Sequence, residues 1–324
     1  MSIFIIDGKN NGKDNILTKY DKIFIYDCYI QNDILYVNND TFDSEIKNVI
    51  FDFNETYSTY NLGWNNHLKK QYLTVQQMIE AFCSISTYIK THFPNIVIYN
   101  DPNIWFKFGS KIEIYKAITN IKNDVFKFFK YSNIQSIEDI ENIDFYPVII
   151  KTDIGSHTKN DTICKDEVML KECYNEKFKH ENNVICIEYK NTYIDEIDKY
   201  MCVRLMVINE IIYDFYARPS NSWNIHTDDQ CASSIVKTNH YFMEFFEKNK
   251  YIINDFIKQF HSISGNGFFV YDVILSDNNL YLCEVGLKFY DSTYSNFLKK
   301  NKIKLNKPST DPNYIRNIVD EILL

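Results

Sequence analysis

The chain has 324 residues, 45% of them hydrophobic and 16% aromatic, with 43 acidic against 35 basic side chains for a formal net charge of −8. Its 24 Phe and 25 Tyr carry too much apolar surface for a disordered chain, and 8 Gly with 6 Pro exclude a collagen-like or low-complexity one. The acidic balance argues against nucleic acid as a partner, so a bound nucleotide would have to be met by a few placed cations and a metal. No run approaches the ~20 apolar residues of a membrane span. The apolar residues 1–6 lack a preceding basic segment and are followed by Asp7, Lys9 and Lys13. A cytoplasmic chain with no membrane partner is expected. Its 8 cysteines form no C-x-x-C pair and are expected to be reduced and mostly buried.

In chain order, residues 3–6, 22–26, 48–53 and 95–99 read as short strands rich in Ile, Val, Phe and Tyr. Between the last two, Thr74 and Gln77 form a capping box. Met78, Ala81, Phe82, Ile85 and Ile89 follow at helical spacing, and Pro94 stands just beyond. This alternation predicts a small open α/β sheet. A second helix is predicted over 110–131, then an acidic linker over 135–144 and a strand over 147–151. Further strands are predicted over 184–189, 201–208, 211–217, 267–275 and 280–285. A long helix over 241–263 should stop at Gly265, and a last helix over 312–324 should be capped by Thr310 or Asp311.

Three motifs carry chemistry. Residues 268–285 read as a hairpin in which Asp272 and Glu284 are each a lone carboxylate in an apolar strand. Burying such a group is costly unless it is paired or bound to metal. The two can share a face as a Mg²⁺ site, or they are strand-end carboxylates, solvated or paired with lysine. Lys151 ends an apolar strand and precedes a polar loop with Gly155 and Ser156, an arrangement that can hold phosphate. The same pattern arises when a strand simply reaches solvent. In Val184-Ile185-Cys186-Ile187-Glu188-Tyr189, the strand end can offer backbone N–H and C=O groups to an adenine edge, with Asp195 beyond it to accept from ribose. Taken singly, these are a strand end and a solvated acid.

The order of these motifs, with Arg204 on the strand between them, resembles the ATP-grasp superfamily. The resemblance implies an α/β fold with α+β lobes. It divides the chain into a small open α/β domain over 1–105, a central lobe over 106–190 and a C-terminal lobe over 191–324. It implies ATP and Mg²⁺ as cofactors. Lys111 and Lys151 would contact phosphates, Gly155 and Ser156 would lie in a phosphate loop, and Glu188, Tyr189 and Asp195 would border the nucleoside. Asp272 and Glu284 would bind the metal, and Arg204 and Arg218 would stabilise the transferred phosphoryl group. One departure is plain: Gly286 stands where the family has an asparagine ligand, so that ligand is missing or replaced by water or by Asp291. The polar–aromatic stretches 54–66, 218–230 and 288–294 read as binding loops. Among their residues Trp223, Asn224, His226 and Lys288 are candidates to hold an acceptor. The expected activity is an ATP-dependent carboxylate–amine ligase acting through an acyl phosphate on a small-molecule or peptide acceptor. The alternatives are a small-molecule kinase on the same fold and a nucleotide-binding protein with degraded catalysis.

Overall fold

The structure is a computed structural model that describes residues 2–6, 21–43, 45–53, 74–154, 161–181, 183–225, 234–287, 298–300 and 312–323. The first unit contains β1 (Ser2–Ile6), β2 (Asp21–Phe24), β3 (Cys28–Gln31), β4 (Ile34–Val37), β5 (Asp40–Thr41) and β6 (Asn48–Asp52). Helix α1 (Val75–His92) and strand β7 (Val97–Tyr99) follow. Its open sheet has the order β2-β1-β6-β7, and every pairing is parallel. The expected capping box closes α1: Gln77 N–H donates to Thr74 Oγ1 at 3.2 Å, and Thr74 N–H to Gln77 Oε1 at 3.1 Å. The helix lays Met78, Phe82, Ile85 and Ile89 against the sheet, where Phe82 meets Phe51 and Phe53.

The expected strand over 22–26 ends at Phe24, and a 3₁₀ turn takes Ile25–Asp27. A small antiparallel meander, β3-β4-β5, was not anticipated. Asn32, Asp33, Asn38 and Asn39 make its two turns at positive φ. Asn and Asp tolerate that region, and it suits the right-handed twist of a hairpin.

Next come α2 (Pro102–Trp105), α3 (Lys111–Ile118), β8 (Phe126–Lys127), β9 (Tyr131–Ile134), β10 (Val148–Thr152), β11 (Thr162–Cys164), α4 (Glu167–Cys173) and β12 (Val184–Glu188). The helix predicted over 110–131 is thus only α3. Asn123 ends any continuation, because its side-chain oxygen accepts from the N–H groups of Val125 and Phe126 at 3.0 and 2.8 Å. Side-chain-to-backbone bonds of this kind compete with helix. The linker predicted over 135–144 is largely a 3₁₀ turn, Ile137–Asn142, capped by Ser136 and Asp139. The antiparallel sheet β11-β10-β12-β9 has its own core of Ile134, Ile140, Val148, Ile150, Leu170 and Phe178 and forms a small lobe.

The remaining elements are β13 (Tyr193–Ile194), β14 (Lys199–Ile208), β15 (Ile211–Ser220), α5 (Ile235–Ser264), β16 (Phe268–Ser276), β17 (Asn279–Leu287) and α6 (Pro312–Leu323). Their sheet runs β13-β14-β16-β17-β8, with β15 also paired to β14. Strand β8 joins this sheet parallel to β17. Helix α3 shares the core of this large sheet rather than that of the small lobe. Helix α5 starts at Ile235, ahead of the expected residue 241, and Asn239 explains the extension. Its side chain accepts from Ala217 N–H at 3.0 Å and donates to Ala217 C=O at 2.9 Å. A helix residue thereby satisfies backbone groups on the outer side of β15. The helix ends at Gly265, whose φ of 69° with ψ of −169° lies in a region that only glycine enters readily. Helix α6 closes the fold onto the first sheet, with Val319 and Leu323 packed against Ile50, Tyr99 and Phe268. Its expected caps Thr310 and Asp311 lie outside the described residues.

The large-lobe core depends on aromatic stacking between α5 and the sheet. Phe256 is fully buried, and its ring lies 3.9 Å from that of Phe126, nearly parallel to it. Phe256→Ala should cost about 3–5 kcal/mol of stability, seen as a lowered denaturant midpoint at unchanged slope.

Candidate active site

The hairpin of β16 and β17 brings Asp272 directly opposite Glu284, with a bulge just after Asp272. On the other side of β16, the register of β14 sets Arg204 against Asp272. Arg204 grips both carboxylate oxygens, donating from Nε to Oδ1 at 2.6 Å and from a terminal nitrogen to Oδ2 at 2.5 Å. Arg218 arrives from β15, where it is the cross-strand partner of Cys202. A terminal nitrogen of Arg218 lies 3.5 Å from Asp272 Oδ1 and 3.0 Å from Cys202 Sγ. Burial opposes the Arg218 charge, but Cys202 and Asp272 beside it hold its pKa above the ordinary arginine value. Burial also pushes the Cys202 thiol up, so it stays protonated at neutral pH and Asp272 is the charge that matters. The Arg218 Nε is buried and has no hydrogen-bond partner among the described residues. An orphaned buried donor of this kind asks for an explanation, of which a bound group is one.

These groups line a cavity of about 280 Å³ between the small lobe and the large sheet. Lys111, from the large lobe, and Lys151, from the small lobe, also line it. Lys151 is the penultimate residue of β10, which runs one residue past the expected end, and its Nζ lies 3.8 Å from Asp161. Lys111 begins α3, is only 5% exposed, and donates to the backbone carbonyl of Asp153 at 2.8 Å. Burial pulls its ammonium below the ordinary lysine value, with Glu284 the largest opposing influence. With Lys190, five cationic side chains face three carboxylates in this cavity, although the chain as a whole carries a net charge of −8.

Phe129, Ile149, Ile187 and Ile274 give the cavity apolar walls. Tyr189 and Trp223 meet edge-on there, with ring centroids 6.4 Å apart, and Asn224 lies beside them. Of the backbone groups that Glu188 and Tyr189 were expected to offer to a base, the two N–H groups are already engaged. Glu188 N–H donates to Lys130 C=O at 2.8 Å and Tyr189 N–H to Pro147 C=O at 2.9 Å. The Glu188 carboxylate accepts from Lys190 Nζ at 2.6 Å. Asp195 sits exposed in the turn after β13 and is not among the residues lining the cavity. The neighbouring Thr192 does line it, with a buried hydroxyl that has no partner among the described residues. Asp153, Asp161, Thr192, Cys202 and Cys283 were not anticipated at the site. Only Asp153, two residues after Lys151, carried a local signal.

Gly155, Ser156, His226, Lys288 and Asp291 lie outside the described residues, as do the stretches 54–66 and 288–294. Among the described residues, no three His, Cys, Asp or Glu side chains are grouped to hold a metal. Both Asp272 oxygens are engaged by Arg204, whereas no hydrogen bond or ion pair engages Glu284 among the described residues. Magnesium often takes only one or two carboxylates and completes its shell with phosphate and water oxygens. The hard oxygens of Glu284, beside Asp272, suit it on those terms.

No protein-family model matches the chain, and no curated protein matches it in sequence. Solved structures do match its shape. The ATP-grasp ligase PsnB, complexed with precursor peptide PsnA2 and AMPPNP, superimposes with a TM-score of 0.58 at 8% identity, covering 99% of this chain and 98% of that one. A RiPP-associated ATP-grasp ligase from Chryseobacterium gregarium, in complex with ADP and a leader and core peptide, gives 0.55 at 13% identity over 99% and 97%. A RimK domain protein from Sphaerobacter thermophilus gives 0.55 at 8% identity over 98% of both chains. At such identities the likeness is one of architecture, and that architecture agrees with the order of motifs along the sequence: the chain has the ATP-grasp fold.

Proposed function

We propose that the chain is an ATP-dependent ligase that activates a carboxylate as an acyl phosphate and passes it to a nucleophile, with a peptide as the acceptor. The observation that carries this reading is the cationic cavity, where Lys111, Lys151 and Arg218 converge and the Arg218 Nε is buried without a partner. The peptide assignment is supported by the shared fold of ligases solved with precursor, leader or core peptides.

In this reading Lys111 and Lys151 hold the nucleotide phosphates, the apolar walls take the base, and Thr192 accepts from or donates to the ribose. A carboxylate oxygen of the acceptor attacks the γ-phosphorus, the bond to the β-phosphate oxygen breaks, and ADP leaves. An amine then attacks the acyl carbon, phosphate departs, and the amine proton is released. The protein contributes position and preorganised charge. Glu284, beside Asp272, would hold a magnesium ion that neutralises the phosphates. Arg204 is occupied with Asp272, so it acts by setting that carboxylate and, through it, Arg218. Trp223 and Asn224, which also line the cavity, would contact the acceptor. Gly286, which brings no side chain to the site, favours the alternative of nucleotide binding without turnover.

The deciding experiment incubates the protein with ATP, magnesium and carboxylate-bearing peptides and identifies all products. ADP, inorganic phosphate and a peptide that has lost water support the ligase. A stable phosphoester would make it a kinase, and bound nucleotide without turnover would make it a binding protein.

Three outcomes follow from the assigned roles. Lys151→Ala should abolish binding of a non-hydrolysable ATP analogue in calorimetric titration without unfolding the chain. Arg218→Lys should keep analogue affinity within a fewfold yet cut turnover roughly 10²-fold, a loss of ~2.7 kcal/mol in the transition state, because Lys lacks the planar fork. If Arg218 is only structural, melting temperature and affinity should fall together. Finally, phosphate beside Lys111 should raise its lowered pKa. Binding under alkaline conditions should then take up a proton that the Lys111→Ala protein does not, as read from titrations in buffers of different ionisation enthalpy.

A further inference from the structure

Asp153 is 4% exposed and stands at the end of β10, in the small lobe. Its backbone N–H donates to Asn183 C=O at 2.8 Å within that lobe. Its carboxylate reaches across to α3, accepting from the Ser110 hydroxyl at 2.6 Å and from Ile112 N–H at 2.9 Å. Ser110 is also the cap of that helix, accepting from Glu113 N–H at 3.2 Å. The Asp153 carbonyl receives the Lys111 ammonium at 2.8 Å. Helix α3 is tied in turn to the large sheet, where the Tyr115 hydroxyl donates to Cys283 C=O at 3.1 Å, one residue before Glu284. One residue thus holds the helix by its side chain and the buried lysine by its backbone. A side chain that secures the helix start also fixes where its own carbonyl stands, and so where Lys111 points.

We propose that Asp153 is a positioning residue: it clasps the small lobe to α3 and sets Lys111 in the cavity. The proposal rests on the nucleotide reading for what Lys111 contacts, but not for how Lys111 is held. Asparagine at this position keeps an oxygen for Ile112 N–H, whereas alanine keeps none.

The test has two parts. Without nucleotide, the full chain is treated with an amine-acylating reagent and labelling at each lysine is followed by peptide mass spectrometry. Asp153→Ala should speed labelling of Lys111 by about tenfold or more while leaving Lys151 unchanged, and Asp153→Asn should stay within about threefold of the parent protein. Ser110→Ala, which removes one hold only, should give an intermediate rate and serves if Asp153→Ala does not fold. With a non-hydrolysable ATP analogue, the Asp153→Ala, Lys111→Ala double variant should bind within about twofold of Lys111→Ala alone, because the two act as a unit. Unchanged Lys111 labelling in both Asp153→Ala and Ser110→Ala, or affinity losses that multiply in the double variant, would overturn the proposal. If the parent protein shows no affinity for the analogue but the labelling pattern holds, the clasp stands and the nucleotide reading fails.

Discussion

A single buried carboxylate, Asp272, organises the cavity. Removing a carboxylate and a guanidinium from water is costly, and the cost is recovered only with near-ideal geometry. Here it is met by a two-point grip from Arg204, with Arg218 close behind. That grip requires β14, β15, β16 and β17 to keep one register. A slip of one residue on any strand would turn its charged side chain to the opposite face of the sheet. The bulge after Asp272 and the register shift between Met206 and Val207 lie in the same stretch of sheet, where local bends re-aim side chains. The ionic network thus fixes which face of the large sheet looks onto the small lobe.

Around that network, charge is distributed against the trend of the whole molecule. An acidic chain repels a polyanion at long range, so a bound nucleotide would have to be held by cations inside the cavity. Two of them are strongly constrained: Arg218 is 7% exposed and Lys111 is 5% exposed. Both are carried on elements of the large lobe, whereas Lys151 and Asp153 come from the small lobe. The cavity therefore depends on how the two lobes meet. Tyr115 and Asp153 fasten α3 on both sides.

Much of this was legible in the sequence wherever the signal was local. The Thr74–Gln77 capping box, the helix stop at Gly265, Lys151 at a strand end and the Asp272–Glu284 hairpin all rest on spacing within a few residues. What was not legible depends on partners far apart in the chain. Asp272 could be read as needing a partner, but nothing near it indicated that Arg204, 68 residues away, would supply it. Asn239 lengthens α5 because of a strand 22 residues earlier. The helix expected over 110–131 stops at Ile118 because the Asn123 side chain bonds the backbone ahead of it, an effect that apolar spacing does not report. Glu188 and Tyr189 look like strand-end donors in sequence, but their amides are used by Lys130 and Pro147, a pairing set by the fold of the small lobe.

On the proposed reading, the unpartnered Arg218 Nε marks where the transferred phosphate sits. A structure of the chain with a non-hydrolysable ATP analogue and magnesium tests it most directly. The triphosphate should lie between Lys111 and Lys151, with a terminal phosphate oxygen within hydrogen-bond reach of the Arg218 Nε. A nucleotide bound in this cavity with the Nε still unengaged, or bound elsewhere on the chain, would contradict it.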